Sequence, residues 1–249
     1  MEIREVRQSD TRHIREVTRE SLTESYGHEF DEKTVEAVAT AWYGDDTIED
    51  LLSDEQSLFI TATNDEMYGY AEGEVLAGEI VVGDIHWLHV RPDARGEGFG
   101  SQLLGEVVDR MAKEGATLVR GRVIEPNEGG ATFYEEHGFE RSSSEIVDIQ
   151  GEKYEELVYE KRLDESALEI LREVEGPDGQ ELYVDYTAGE TGVIAPLYPT
   201  YLDDNLEEQY GWLCSNCGSK NTTMDSAGRI QCANCDNGRK ATRWDESYL

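Results

Sequence analysis

The sequence predicts an α+β chain: helices set around a sheet, followed by a small β-rich segment at the C-terminal end. Three observations carry this. Stretches with period-two alternation and stretches with helical spacing follow each other as β-α-α-β-β-β-α-β-α-β-β to about residue 162. Strands occur in consecutive runs rather than in strict alternation with helices. All four cysteines fall between residues 214 and 235, in a segment of different composition.

"MEIREVR" alternates apolar and polar residues and opens the chain as a strand. Asp10 or Thr11 can cap a helix running to about Tyr26, with Ile14, Val17 and Leu22 on its inner side. "DEKTVEAVATAWYG" gives a second helix, closed by Gly44. "SLFITAT" and "EMYGYAEGEVL" are two strands about a turn at Asn64-Asp65. "EIVVGDIHWLHV" is the next strand, with a bulge expected near Gly83. A helix spans about Gly98 to Glu114; Leu103, Leu104, Val107, Val108 and Met111 share one face, and Gly115 suits its C-terminus. "ATLVRGRVI" is a strand, and "EGGATFYEEH" is a short helix ended by Gly138. "FERSSSEIVDIQ" and "EKYEELVYEKRL" are strands paired around Gly151. "GPDGQ" is then a turn cluster, and the aromatic stretch up to Gly211 is β-like without a clear register. The expected organisation is a domain over 1–163, a β-rich connection over 164–211 and a cysteine domain over 212–249.

The 249 residues suffice for a sizeable core and one or two domains. No apolar run reaches about 18 residues, so no transmembrane helix is expected. "MEIREVRQSD" is charged and lacks the apolar core of a signal peptide, so a cytoplasmic location is expected. There are 55 acidic and 22 basic residues, a net charge of −33. The acids spread through residues 2 to 208, where apolar periodicity persists, which argues against disorder. A folded protein of a salt-accumulating organism is expected: at 1 M salt the Debye length is about 3 Å and self-repulsion is screened. The same charge argues against nucleic-acid binding, which needs a basic footprint.

"HVRPDARGEGFGSQLL" (89–104) leads from a strand through three glycines into a helix. Glycine lets backbone approach a ligand closely, and the first N–H groups of a helix are unpaired and favour anions. Arg95 adds a positive charge, so a phosphate or pyrophosphate is the expected ligand. "RGEGFG" lacks the Gly-Lys-Ser/Thr ending of a nucleotide P-loop and does not follow the first strand of a dinucleotide fold. The pattern Arg-x-x-Gly-x-Gly (Arg95, Gly98, Gly100) after "LHV" resembles the acetyl-CoA loop of the GNAT N-acetyltransferases. Downstream, "NEGGATFYEEHGFE" is similar to that family's Asn-x3-Ala-x2-Tyr-x3-Gly-Phe stretch through Asn127, Ala131, Tyr134, Gly138 and Phe139.

The resemblance covers about residues 1 to 162. It implies a mixed, mostly antiparallel, splayed sheet flanked by helices, and acetyl transfer from acetyl-CoA to an amine. Pantetheine would bond the backbone near Leu88, His89 and Val90. The pyrophosphate would sit on the amides of Arg95, Gly96, Gly98, Phe99, Gly100 and Ser101, with Asn127 counted among the cofactor-binding residues. Tyr134 matches the family position that often protonates the departing thiolate; the bland alternative is a core tyrosine, with Phe133 available for packing instead. Asp84 and His86 are candidates for the base, against the alternatives of a bulge residue, sheet residues and ordered water. His13, His28 and His137 read as surface residues. The helices over about 11–53 would shape the acceptor pocket, where Glu24, Glu29 and Asp31 either attract a cationic amine or are solvated charge.

Cys214, Cys217, Cys232 and Cys235 form C-x2-C-x14-C-x2-C, the ligand set of a tetrahedral zinc site. Two disulfides or a redox pair are the alternatives, and disulfides are disfavoured in a reducing compartment. "DSAG" (225–228) can turn the hairpin between the two pairs. A structural zinc ribbon is expected. Lys220, Arg229, Arg239, Lys240 and Arg243, with Trp212, Trp244 and Tyr248, form either a docking surface for a partner or nucleic acid, or part of a small metal-dependent core. This segment also resembles an uncharacterised C-terminal domain of salt-loving archaea. The rival to an acyltransferase is a non-catalytic acetyl-CoA sensor whose ribbon binds a partner.

Overall fold

The computed structural model describes residues 2–54, 56–149, 152–164, 171–177, 179–225 and 229–240. They fall into two compact units, one from Met1–Val75 and Gly83–Leu163, the other from Leu76–Val82 and Asp164–Thr242. The expected boundary at 211/212 falls inside a strand, because the aromatic stretch and the cysteine segment share one unit. Gly151, the middle of "GPDGQ", most of "DSAG", and Arg243, Trp244 and Tyr248 lie outside the described residues.

The first unit runs β1 (Glu2–Glu5), α1 (Thr11–Tyr26), α2 (Glu32–Trp42), α3 (Asp45–Ser53), β2 (Ser57–Thr63), β3 (Met67–Leu76), β4 (Val82–Val90), α4 (Phe99–Lys113), β5 (Leu118–Ile124), α5 (Glu128–Glu136), β6 (Glu140–Ile149) and β7 (Glu152–Arg162). These strands form a seven-stranded sheet in the order β1-β2-β3-β4-β5-β7-β6. β1–β2, β2–β3, β5–β7 and β6–β7 pair antiparallel. β4 reaches its neighbour β5 through the α4 crossover.

The helices follow their apolar spacing. Ile14, Val17 and Leu22 of α1 are fully buried, in one cluster with Val35, Val38 and Trp42 of α2 and Tyr70 of β3. Asp10 stands before α1 but makes no capping bond; its carboxylate takes two bonds from Arg4, at 2.7 and 3.0 Å, and one from the Arg7 amide. Gly44 does not close α2 as expected. α2 already ends at Trp42, and Gly44 is the N-cap of a third helix, α3, which buries only Ile48. Leu103, Leu104, Val107 and Met111 of α4 are buried, and the chain leaves that helix through Gly115 at φ +94°.

The second unit holds β8 (Leu171–Glu175), β9 (Glu181–Asp185), β10 (Leu197–Tyr201) and β11 (Gln209–Cys214), an antiparallel sheet in the order β11-β10-β9-β8. A hairpin of β12 (Thr222–Met224) and β13 (Ile230–Cys232) follows. Val184, Tyr198 and Leu213 pack on the sheet; Leu197, Cys214, Ile230 and Cys232 pack at the cysteines, with Trp212 against them. Among the described residues no helix is long and apolar enough to cross a membrane.

Candidate active site

In the loop before α4, Gly96 and Gly98 hold φ of +81° and +85°, a left-handed conformation that side-chain-bearing residues adopt at a cost. Gly98 is the N-cap of α4. The bond from the Gln102 amide to the Gly98 carbonyl, 3.1 Å, starts the helix, so the amides of Phe99, Gly100 and Ser101 have no helical acceptor. Arg95 turns its guanidinium toward α1, donating to Ser21 Oγ at 3.1 Å and Ser25 Oγ at 3.0 Å. The Phe99 ring points elsewhere and stacks on Tyr68, with centroids 4.5 Å apart.

These groups border a cleft of about 450 Å³ in the first unit. One wall is β4 from His86 to Val90; others come from the glycine loop, Arg122 and Val123 of β5, α5, and Ser21, Ser25 and Tyr26 of α1. The bulge in β4 lies further along than Gly83. Gly83 faces Met111 of α4, whereas His86 bonds Glu72 and Glu74 on the opposite face. Trp87, the next residue, also packs on that opposite face, against Trp42, and stacks on His89. Two consecutive side chains on one face break the alternation of a strand at 86/87.

A buried charge cluster lies beside this bulge. His86 Nδ1 is 3.0 Å from Glu72 and Nε2 is 3.2 Å from Glu74. Burial pulls the His86 pKa down, but the two carboxylates override it and hold the imidazolium up to about 10. Asp84 pairs with Arg122 and lies 3.8 Å from Arg120. Burial pushes its carboxyl up, and the two guanidiniums overcome this and bring it down to about 2. Asp84 is not on the cleft wall. At neutral pH His86 is saturated with protons and Asp84 is locked in ion pairs, so neither environment favours taking a proton from an amine.

α5 contributes the far wall. Asn127 caps it, accepting from the Gly130 amide at 2.9 Å and donating to the Tyr26 hydroxyl at 3.1 Å. Tyr134 lines the cleft and is only 6% exposed. Its ring lies on Gly121 of β5, where a Cβ would collide with it, so that glycine is required by the phenol above it. The packing expected of Phe133 thus falls on Tyr134, while Phe133 is half-buried beside Gly100 on the cleft wall. His137, read as a surface residue, lines the same cleft, 2.8 Å from Ser101 Oγ. His13 and His28 are exposed, as are Glu24, Glu29 and Asp31; Asp31 caps α2 by accepting from the Thr34 amide.

Of the residues singled out in the sequence, His86, Leu88, His89, Val90, Arg95, Gly96, Gly98, Gly100, Ser101, Asn127 and Tyr134 border one cleft, and Phe99 and Asp84 do not. Ser21, Ser25, Arg122 and His137 were missed. The four-residue spacings Ser21–Ser25 and Phe133–His137 carry a signal, since such pairs share a helix face.

In the second unit the four cysteine sulfurs lie within 4.8 Å of one another and form no disulfide. Cys214–Cys235 and Cys217–Cys232 are 3.7 and 3.5 Å apart. Four thiolates at about 2.3 Å from one zinc ion would stand about 3.8 Å apart, so the cluster has the dimensions of a metal site. Asn237, 1% exposed, donates to Cys214 Sγ at 3.3 Å and to the Ala195 carbonyl at 2.8 Å. Hydrogen bonds from the Asn216 side-chain amide and the Asn237 backbone lower the pKa of the Cys235 thiol. Of the basic residues nearby, Arg229 pairs with Asp225 and Arg239 with Glu190.

Comparison with known proteins agrees with this architecture. The chain is similar to the PaiA N-acetyltransferase of Thermoplasma acidophilum in complex with coenzyme A, with TM-score 0.55 and 25% identity over 65% of this chain and 98% of that one. A GCN5-related N-acetyltransferase of Rhodopseudomonas palustris gives 0.53 at 23% identity, over 65% and 95% of the two chains, and at that identity shows the fold alone. An uncharacterized N-acetyltransferase of Methanocaldococcus jannaschii is 37% identical over 59 residues, 24% of this chain and about a quarter (26%) of that protein's length. Residues 178–249 match a family of unknown function (DUF5816). Residues 14–139 match the model of the acetyltransferase (GNAT) family. That match spans half of the chain and takes in the glycine loop, β4 and Tyr134: the chain belongs to the acetyltransferase (GNAT) family.

Proposed function

We propose that the chain transfers an acetyl group from acetyl-CoA to an amine acceptor. The observation that carries this reading is a single cleft joining the open amides at the start of α4, the bulged stretch of β4 and the Tyr134 phenol. The helix start binds pyrophosphate, with the N–H groups of residues 96–101 as donors. β4 from Leu88 to Val90 offers backbone to the pantetheine arm. The Thermoplasma acetyltransferase is a complex with coenzyme A, which supports that ligand here.

In the reaction the amine lone pair attacks the thioester carbonyl, the C–N bond forms and the C–S bond breaks. A backbone amide near Leu88 stabilises the oxyanion, and Tyr134 gives its proton to the departing thiolate. The proton lost by the amine passes to water in the cleft, because His86 and Asp84 are committed to their ion pairs. The cysteine cluster fits a structural zinc ion in donor type, number and spacing. Cys214, Cys217, Cys232 and Cys235 would hold it, and it would tie β11 to the β12–β13 hairpin. The acidic surface suits a salt-rich cytoplasm.

Calorimetric titration of coenzyme A tests the cofactor site. At Gly100 a side chain would start 3.3 Å from the Phe133 ring, and Gly100→Asp adds a negative charge beside the phosphates. Binding by the wild type and a loss of about 100-fold or more in the variant are expected, since a close like charge costs several kcal/mol. Equal affinity of the two proteins would overturn the assignment.

A further inference from the structure

His137 ends α5 and reaches across the mouth of the cleft to α4. Its Nδ1 is 2.7 Å from the Phe133 carbonyl and its Nε2 is 2.8 Å from Ser101 Oγ. A carbonyl oxygen only accepts, so Nδ1 carries a proton and donates it. In the neutral ring Nε2 is then an acceptor and takes the Ser101 hydroxyl proton. Ser101 is the third residue of α4, at the end whose amides face the cleft, and its side chain lines the same space.

A phosphate oxygen arriving there is also only an acceptor. With His137 neutral, the single hydroxyl proton of Ser101 can serve Nε2 or the phosphate, but not both. With His137 protonated on both nitrogens, Nε2 donates to Ser101 Oγ and the hydroxyl is free to donate to the phosphate. We propose that His137 is a further residue of the coenzyme A phosphate site, acting through Ser101, and that phosphate binding there takes up one proton from solvent onto Nε2. This rests on the coenzyme A reading above. His137 touches no reacting atom; it positions the donor that meets the phosphate.

The charged groups around the ring are few. Lys161 of β7 donates to the His137 carbonyl at 2.9 Å. On α5 itself Glu136 lines the cleft and Glu135 accepts from the Tyr159 hydroxyl. From α4 the ring meets Ser101, and the Phe133 ring stands 4.4 Å away. Arg95, Arg122, His86 and His89 also line the cleft.

The test is calorimetric titration of coenzyme A into the full chain at about 2 M KCl, between pH 5.5 and 8, in buffers of differing ionisation enthalpy. The wild type should take up more protons than His137→Gln, by up to one per coenzyme A bound. The ligand's own phosphomonoester also titrates, near pH 6, so the difference between the two proteins is the readout. The wild-type affinity should weaken about tenfold more than the variant's as pH rises, the weight of one charge-assisted hydrogen bond. Ser101→Ala should abolish the extra uptake while leaving His137 in place, which a purely structural role for the histidine does not predict. Equal proton uptake and equal pH dependence in wild type and His137→Gln would overturn the proposal while leaving the coenzyme A site standing. Absence of binding by the wild type at every pH would overturn both.

Discussion

His86→Gln should cost the first unit much of its stability, and the size follows from its surroundings. The imidazolium sits between two carboxylates whose side chains are each 7% exposed. Glutamine can donate to one of them but brings no positive charge to either. Breaking a buried ion pair from one side costs about 3–5 kcal/mol. In a unit of this size each kcal/mol moves the melting temperature by about 2–4 °C, so a drop of about 10 °C or more is expected at pH 7. Because the folded pKa of about 10 lies above the unfolded value of 6.5, the contribution is complete below about pH 6.5 and disappears as pH rises through 10. Wild type should therefore lose stability between pH 7 and 10 while the variant stays nearly flat. Circular dichroism melts of both proteins across that range, in about 2 M KCl, measure this; high salt leaves a buried pair largely unscreened. A variant melting within about 2 °C of wild type at pH 7 would refute the clamped imidazolium.

Three further outcomes are expected. Tyr134→Phe keeps the ring on Gly121 and removes the proton donor, so coenzyme A affinity should hold while kcat falls about 100-fold, at the low end for a positioned acid; unchanged kcat with chemistry rate-limiting would make Tyr134 a packing residue. Protein purified without added metal should contain one zinc per chain by elemental analysis, and chelation should raise amide exchange around Cys214 and Cys232 before it does so in α4; intact disulfides in metal-free protein would refute this. The melting temperature should rise as KCl goes from about 0.1 to 2 M; a flat curve would contradict adaptation to salt.

The glycine loop, α4 and the cysteine cluster were legible because their chemistry is local: backbone freedom, a helix start and a ligand spacing all sit within a few consecutive residues. α3 was not, because Gly44 fits the end of α2 as readily as the start of a new helix, and "DDTIEDLLS" is only nine residues long, with Ile48, Leu51 and Leu52 its three apolar residues. The bulge at 86/87 was misplaced because "DIHWLHV" reads as plain alternation until Glu72 and Glu74 of β3 fix which way His86 points. For the same reason Asp84 and His86 read as free candidates for a base. Their partners Glu72, Glu74, Arg120 and Arg122 come from neighbouring strands, 10 or more positions away, and in sequence look like the polar half of solvated strands. β8 went unread, and β9 and β10 could not be parsed, because their short strands join through irregular connections, and the register there is set by pairing rather than by sequence pattern.

The central claim is transfer, and amine-dependent release of thiol from acetyl-CoA tests it most directly. The wild-type chain, in about 2 M KCl, would be offered acetyl-CoA with a panel of primary amines and peptides, with CoA thiol and N-acetyl product quantified together. At least one acceptor should give thiol and acetylated amine in equal amounts, and Gly100→Asp should abolish both. Tight binding of acetyl-CoA with no release above the amine-free rate for any acceptor would contradict acetyl transfer and leave a cofactor-binding sensor in its place.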